Sequence, residues 1–190
     1  MRYEVRLAGA GGQGLVLAGI VLAEAALMEG HMVVHSQNYG PEARGGNSVS
    51  EVIIADEEID YPRALGLDLL IALNQRATND NLPDMKEEGL VIVDSTAVEK
   101  VLWGKVLRVP LEREAKLNFK DARAVNMLAL GILTPFCPFV TESSMVRAIT
   151  ARMADTTLER NLKAYRSGAE HGRDLQSGSQ FHEMEDAIDV

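Results

Sequence analysis

Two short stretches of this sequence carry residues suited to chemistry. The first is Gly9-Ala10-Gly11-Gly12-Gln13-Gly14. Gly9, Gly11 and Gly14 fit the spacing G-x-G-x-x-G, a turn that carries a strand into a helix while its backbone approaches a phosphate. Lacking Cβ atoms, such a turn admits a ligand or a neighbouring element at close range. The N–H groups of the first helical turn, around Gly12 to Leu15, then suit an anion. The Gln13 amide has two uses there: donating to a phosphate oxygen, or capping a nearby backbone group. The second stretch is Tyr39-Gly40-Pro41-Glu42-Ala43-Arg44-Gly45-Gly46, in which glycines and a proline frame Glu42 and Arg44. A guanidinium held in such a loop suits a carboxylate or phosphate, being a planar and permanently charged fork. A local pair with Glu42 that merely shapes the loop is the competing reading.

A dinucleotide site needs one more piece, an acidic residue about 20 positions beyond the glycines to hold a ribose. Here the second strand reads His31-Met32-Val33-Val34-His35-Ser36-Gln37 and ends without a carboxylate. The glycine turn is thus compatible with a phosphate site and equally with a plain strand-to-helix connection. Other reactive types offer less. Cys137, the one cysteine, sits in the apolar, proline-bounded Thr134-Pro135-Phe136-Cys137-Pro138-Phe139 and reads as a buried structural thiol. His31 and His35 have no carboxylate or cysteine at metal-ligand spacing. Asn126, between Val125 and Met127, reads as a buried amide that ties down a loop.

The elements that position these residues follow from hydrophobic patterning. Tyr3, Val5 and Leu7 alternate as a first strand, and Leu15 to Glu29 form a helix closed by Gly30. That helix is apolar nearly all round, so both its sides need cover, and a second polypeptide is the expected source. Further strands are expected at residues 48–54, 68–73, 90–93 and 105–109. Asn74 should cap a short helix that Gly89 stops, and Pro110 should start a helical turn. From Asp121 on the chain reads as helices capped by Asp121, Thr141 and Asp155 or Thr156, the last running towards Gly168. This alternation predicts an α/β fold: three layers, α/β/α, with an open, mostly parallel Rossmann-like sheet followed by C-terminal helices. Residues 1–175 make a single domain and 176–190 a polar tail, disordered by composition. The loops leaving the strands' carboxyl ends form the ligand face, which makes the two glycine-rich stretches neighbours in space.

Composition narrows the classes of function. Of 190 residues 46% are hydrophobic, enough for a sizeable core. The net charge of −9, without a basic stripe, argues against nucleic acid as a partner. A single cysteine provides neither a disulfide framework nor a cysteine-ligated iron–sulfur cluster. Met1-Arg2-Tyr3-Glu4 enters the first strand directly and the longest apolar run, Leu15 to Ala23, is too short to cross a bilayer, so a cytoplasmic protein without membrane association is expected.

Taken together, Gly9-x-Gly11-Gly12-Gln13-Gly14, Ala18-Gly19, Tyr39 to Gly46, Ser50-Glu51-Val52-Ile53-Ile54 and Ile59-x-Tyr61-Pro62 resemble the gamma subunit of 2-oxoacid:ferredoxin oxidoreductases. Asn126-Met127, Leu130-Gly131, Asn161, Ala164 and Gly168 fit the same family, so the resemblance spans about residues 3 to 168. The spelling of Tyr39 to Gly46 is closer to the 2-oxoglutarate type than to the pyruvate type. The resemblance implies a multi-subunit enzyme that oxidatively decarboxylates a 2-oxoacid to an acyl-CoA, using thiamine diphosphate, Mg, iron–sulfur clusters and CoA. The sequence has no Gly-Asp-Gly of a thiamine diphosphate site and too few cysteines for a cluster. The resemblance therefore implies a gamma chain with no catalytic residue, metal site or cofactor of its own, serving assembly and a candidate for CoA contact. Its implied partners are alpha, beta and a ferredoxin-like delta subunit, with a homodimer when isolated. Residues implied to face the cofactor are Gly11, Gly12, Gln13, Gly14, Tyr39, Glu42, Arg44, Gly45 and Gly46. A stand-alone NAD(P)- or FAD-binding domain, or redox sensor, is the alternative drawn from the glycine spacing alone.

Overall fold

The structure, a computed structural model, describes residues 1–39 and 46–178. Its elements run β1 (Arg2–Ala10), α1 (Leu15–Met28), β2 (Met32–Tyr39), β3 (Asn47–Ala55), β4 (Leu67–Ala72), α2 (Gln75–Asn81), β5 (Met85–Asp94), β6 (Val106–Val109), α3 (Leu111–Phe119), α4 (Val125–Leu133), α5 (Glu142–Arg152) and α6 (Asp155–Gly178). The six strands form one sheet in the order β2-β3-β1-β4-β5-β6. β1, β4, β5 and β6 pair in parallel, while β3 runs against both β1 and β2. The fold is α/β with a mostly parallel sheet, as patterning predicts. One feature is not encoded locally: β3, the strand that follows β2 in sequence, pairs with it antiparallel and occupies the place beside β1.

The sheet's two faces are covered unequally. On one, Val5, Leu7, Val52, Ile54, Leu69, Ile71, Ile92 and Leu107 pack in a single core with α1, α3, α4, α5 and α6. Helix α1 lays Leu15, Leu22, Ala25 and Ala26, all essentially buried, into this core. Its far flank is covered by α4 and α5 of the same chain, with Glu24 paired to Arg152 of α5. The second polypeptide expected there is supplied by the C-terminal helices, because a fully apolar helix demands cover without specifying whose. Only Leu27 and Met28, at its end, are left exposed.

The helices approach each other through glycine. A Cβ on Gly131 of α4 would stand 2.2 Å from the Tyr165 carbonyl, and one on Gly168 of α6 would stand 2.2 Å from that of Leu128. The backbones of α4 and α6 thus touch, with Ala164, Tyr165 and Ala169 buried between them. This seam also extends α6 to Gly178, past the Gly168 end and into the tail expected from residue 176. Residues 179–190 lie outside the described residues. Gly89 likewise departs from expectation: α2 ends at Asn81, and Gly89 lies within β5 where the pairing with β4 shifts register.

The opposite face carries α2 and the segment 56–66. Glu4, 1% exposed, accepts N–H bonds from Leu65 (2.7 Å) and Gly66 (2.8 Å) and an ion pair from Arg2. Glu51 accepts from Ala64 (2.8 Å) and from the Arg6 guanidinium (2.7 Å), which also reaches Asn81 and Asp84. The buried Glu4 and half-buried Glu51 are tolerated here because each is both ion-paired and hydrogen-bonded.

Candidate functional site at the carboxyl edge of the sheet

Three segments meet where β1, β2 and β5 end. The turn after β1 is built for proximity. Gly12 and Gly14 hold positive φ, +94° and +76°, which side-chain-bearing residues rarely adopt. Gly14 is the left-handed N-cap of α1, which has no side-chain cap and no acidic residue in its first turn. Its end therefore offers backbone N–H groups and a positive dipole end outward. Among the described residues, a Cβ on Gly12 would meet nothing within 4 Å, so the turn's outer side is open.

The turn is held from behind. The Gln13 side chain folds back, its Oε1 accepting from Ala10 N–H at 2.7 Å and its Nε2 donating to Glu112 Oε1 at 2.8 Å. Both ends of this amide are engaged within the protein, and Gly9 leaves the space for it, since a Cβ there would lie 2.3 Å from Oε1. Asn126, 5% exposed at the start of α4, donates to the Gly14 carbonyl at 3.2 Å. Asp94, fully buried at the end of β5, accepts from the Glu112 N–H (2.8 Å) and from Thr96. Glu112 thus links the β1 turn to the end of β5 through the first turn of α3. Sequence places Asp94 at a strand's carboxyl end on the ligand face without giving it this bonding role, and it does not single out Glu112. A carboxylate closing the apolar run Leu90 to Val93 was the available signal for Asp94, and Glu112 gave none.

The second glycine-rich stretch reaches the same place. The Gly11 N–H donates to the Gly46 carbonyl at 2.9 Å, and Ala10 pairs with Asn47 in the β1–β3 ladder. The predicted adjacency of the two stretches is therefore present where Gly11 meets Gly46; Gly12, Gln13 and Gly14 continue the turn from Gly11. Tyr39 closes β2 with its backbone opposite Ser48. Its side chain, and Glu42, Arg44 and Gly45, lie outside the described residues.

The remaining candidates are structural. Cys137 is 2% exposed, and burial pushes its thiol up to about 11. His35 lies under α1, where its Nε2 meets Ser50 Oγ at 2.9 Å and burial lowers its pKa. A Cβ on Gly19 of α1 would stand 2.0 Å from that Oγ. His31 does have a carboxylate neighbour, Asp56 at 3.2 Å, and its ring stands edge-on to Phe139 at 4.9 Å. That pair is 25 positions apart and invisible to local spacing. Among the described residues no group of three or more His, Cys, Asp or Glu could hold a metal ion, and no helix is long and apolar enough to cross a membrane.

Strand order bears on the dinucleotide reading of the glycine turn. In a dinucleotide fold the ribose-binding acid stands at the end of the strand next to β1. Here that neighbour is the antiparallel β3, and β2 lies two strands away, ending without an acid. Among the described residues the free-standing dinucleotide alternative has no second half to its site.

An α/β domain with this strand order and an open glycine turn defines the class. The chain belongs to the pyruvate ferredoxin/flavodoxin oxidoreductase family, whose description matches residues 4–171. A 2-oxoglutarate synthase subunit, KorC, from Methanocaldococcus jannaschii is 41% identical over 180 residues, covering 92% of this chain and 96% of that protein. The crystal structure of a keto/oxoacid ferredoxin oxidoreductase gamma subunit from Geobacter sulfurreducens superposes with a TM-score of 0.80 at 38% identity, over 90% of this chain and 98% of that one. The same fold recurs with a TM-score of 0.82, at 24% identity, within a longer chain of a 2-oxoglutarate:ferredoxin oxidoreductase from Magnetococcus marinus, of which this chain covers 31%.

Proposed function

We propose that this chain is the gamma subunit of a multi-subunit, CoA-acylating 2-oxoacid:ferredoxin oxidoreductase of the 2-oxoglutarate type. The observation that carries this reading is the 41% identity to a 2-oxoglutarate synthase subunit over nearly the whole of both chains. Its partners are the alpha, beta and ferredoxin-like delta subunits, in the cytoplasm. Thiamine diphosphate with its Mg²⁺ supplies the decarboxylation chemistry and iron–sulfur clusters carry the electrons. The residues of this chain do not suit those groups, since its one cysteine is buried. They do suit the phosphates of CoA: the uncapped N-terminus of α1, the open Gly12 and the adjoining Gly46 form an anion-receptive edge. In this reading Tyr39, Glu42, Arg44 and Gly45 present the second half of that edge to a partner subunit, and Arg44 holds an anionic group there. Gln13, bonded on both ends, shapes the turn.

Reconstitution with and without this chain tests the proposal. Reduction of ferredoxin that depends on both 2-oxoglutarate and CoA should require it. Full activity of the remaining subunits without it would contradict the reading.

A further inference from the structure

The glycine turn is fastened by a hydrogen-bonded bridge that begins two strands away. β5 ends at Asp94, which is fully buried. Its carboxylate accepts from the Thr96 N–H (2.8 Å), the Thr96 hydroxyl (2.5 Å) and the Glu112 N–H (2.8 Å). The last of these gives α3 the cap that its own start lacks, since Pro110 at the N-cap position makes no side-chain bond. A carboxylate at that end is also favoured by the helix dipole. The first turn of α3, and Glu112 with it, is thereby fixed to the sheet.

Glu112 turns this fixed point towards β1. Its Oε1 accepts from Gln13 Nε2 at 2.8 Å, while Oε2 pairs with Lys116, one helical turn on, at 3.1 Å. An ionised carboxylate accepts and cannot donate, so it admits only the amino end of the Gln13 amide. The carbonyl end is left for the Ala10 N–H, 2.7 Å away at the last residue of β1. With the amide reversed, donor would face donor and acceptor would face acceptor, and both bonds would be lost. Charge alone gives no reason for a carboxylate in this place. A negative group behind an edge that receives an anion opposes that anion. The acceptor geometry of Glu112 accounts for it.

We propose that Glu112, held by Asp94, is a positioning residue for CoA: it orients the Gln13 amide, and the amide fixes the turn from Gly11 to Gly14 that faces the CoA phosphates. This rests on the reading that the glycine edge receives CoA. Glu112 touches no ligand and acts through Gln13. The bridge runs from the carboxyl end of β5, past β4, to that of β1. The sheet therefore sets the turn before a ligand arrives, which lowers the ordering cost of binding.

Steady-state kinetics of the reconstituted complex, with CoA varied at saturating 2-oxoglutarate, test this. Glu112→Ala should raise the KM for CoA about tenfold and change kcat less than about twofold. In the full chain alone it should speed hydrogen exchange at the Ala10 N–H, which Gln13 covers. Glu112→Gln keeps an acceptor and drops the charge, so its KM should return to within about twofold of the wild type. Gln13→Ala with Glu112→Ala should raise KM no further than Gln13→Ala alone, because one acts through the other. An unchanged or lowered KM in Glu112→Ala would overturn the proposal alone if Arg44→Ala raises it. If Arg44→Ala is silent too, the CoA reading of the edge falls with it. Additive losses in the double variant, or a Glu112→Gln form as impaired as Glu112→Ala, would also overturn it. Should Glu112→Ala fail to assemble, Gln13→Ala reads the same loss, and an unchanged KM there would overturn the proposal.

Discussion

The Gly11 N–H and the Gly46 carbonyl meet at 2.9 Å, joining the turn after β1 to the segment that enters β3. Their sequence separation is closed by the β2–β3 hairpin, which places β3 against β1. The open end of α1, the end of β2 at Tyr39 and Gly46 therefore share one edge of the sheet.

Arg44 is the residue of that stretch best suited to an anion. Losing one charged hydrogen bond costs about 1.5–3 kcal/mol, roughly ten- to a hundredfold in CoA affinity or turnover. Arg44→Ala, in a reconstituted complex whose assembly is checked by size, should show that loss. Unchanged CoA dependence and turnover in an intact complex would remove Arg44 from the site.

Gly19 lets α1 lie directly on the His35–Ser50 pair. Gly19→Ala places a Cβ 2.0 Å from Ser50 Oγ, which must shift along with the helix. Overpacking of this kind costs about 1–3 kcal/mol, read as a lower urea midpoint. Ser50→Ala in the same chain should recover part of it, because the two positions share the contact. Additive losses would show that the strain lies elsewhere.

His35 makes stability fall on the acid side. Its folded pKa lies below the ordinary histidine value of about 6.5, so between those two values the unfolded chain binds more protons. Its contribution is intact above about pH 7 and is lost as pH falls through 6.5 towards the folded value. The melting temperature of His35→Gln should change less between about pH 7 and pH 5.5 than that of the wild type. Parallel curves would show that other groups set the acid limb.

Cys137 is buried and its thiol is pushed up to about 11. In the native protein at pH 8 it should resist iodoacetamide and react only in denaturant, since the thiolate is the reactive form. Rapid labelling under native conditions would show that the Pro135–Phe139 turn opens.

Much of this was legible in sequence because the signals were local. The strands show as apolar alternation or as short apolar runs, and Asn74, Asp121 and Thr141 cap where their side chains suit capping, accepting from Ala77, Arg123 and Ser144. What escaped was set by distant partners. The run that predicts α1 demanded cover without naming α4 and α5. After Tyr165 the apolar period of α6 rests on Ala169 and Gly172, buried small residues whose spacing reads as polar helix or tail until α4 is beside them. The site shows the same division: its glycine spacing was visible, whereas Gln13 meets Glu112 across 99 positions and Asn126 meets Gly14 across 112.

As one subunit of an oxoacid oxidoreductase, this chain should be found bound to the others. Affinity purification of the tagged chain from its native cell, with identification of the accompanying chains, tests it most directly. Thiamine-diphosphate- and iron–sulfur-binding subunits should co-purify, in a complex that reduces ferredoxin with 2-oxoglutarate and CoA. Recovery of the chain without such subunits and without that activity would contradict it.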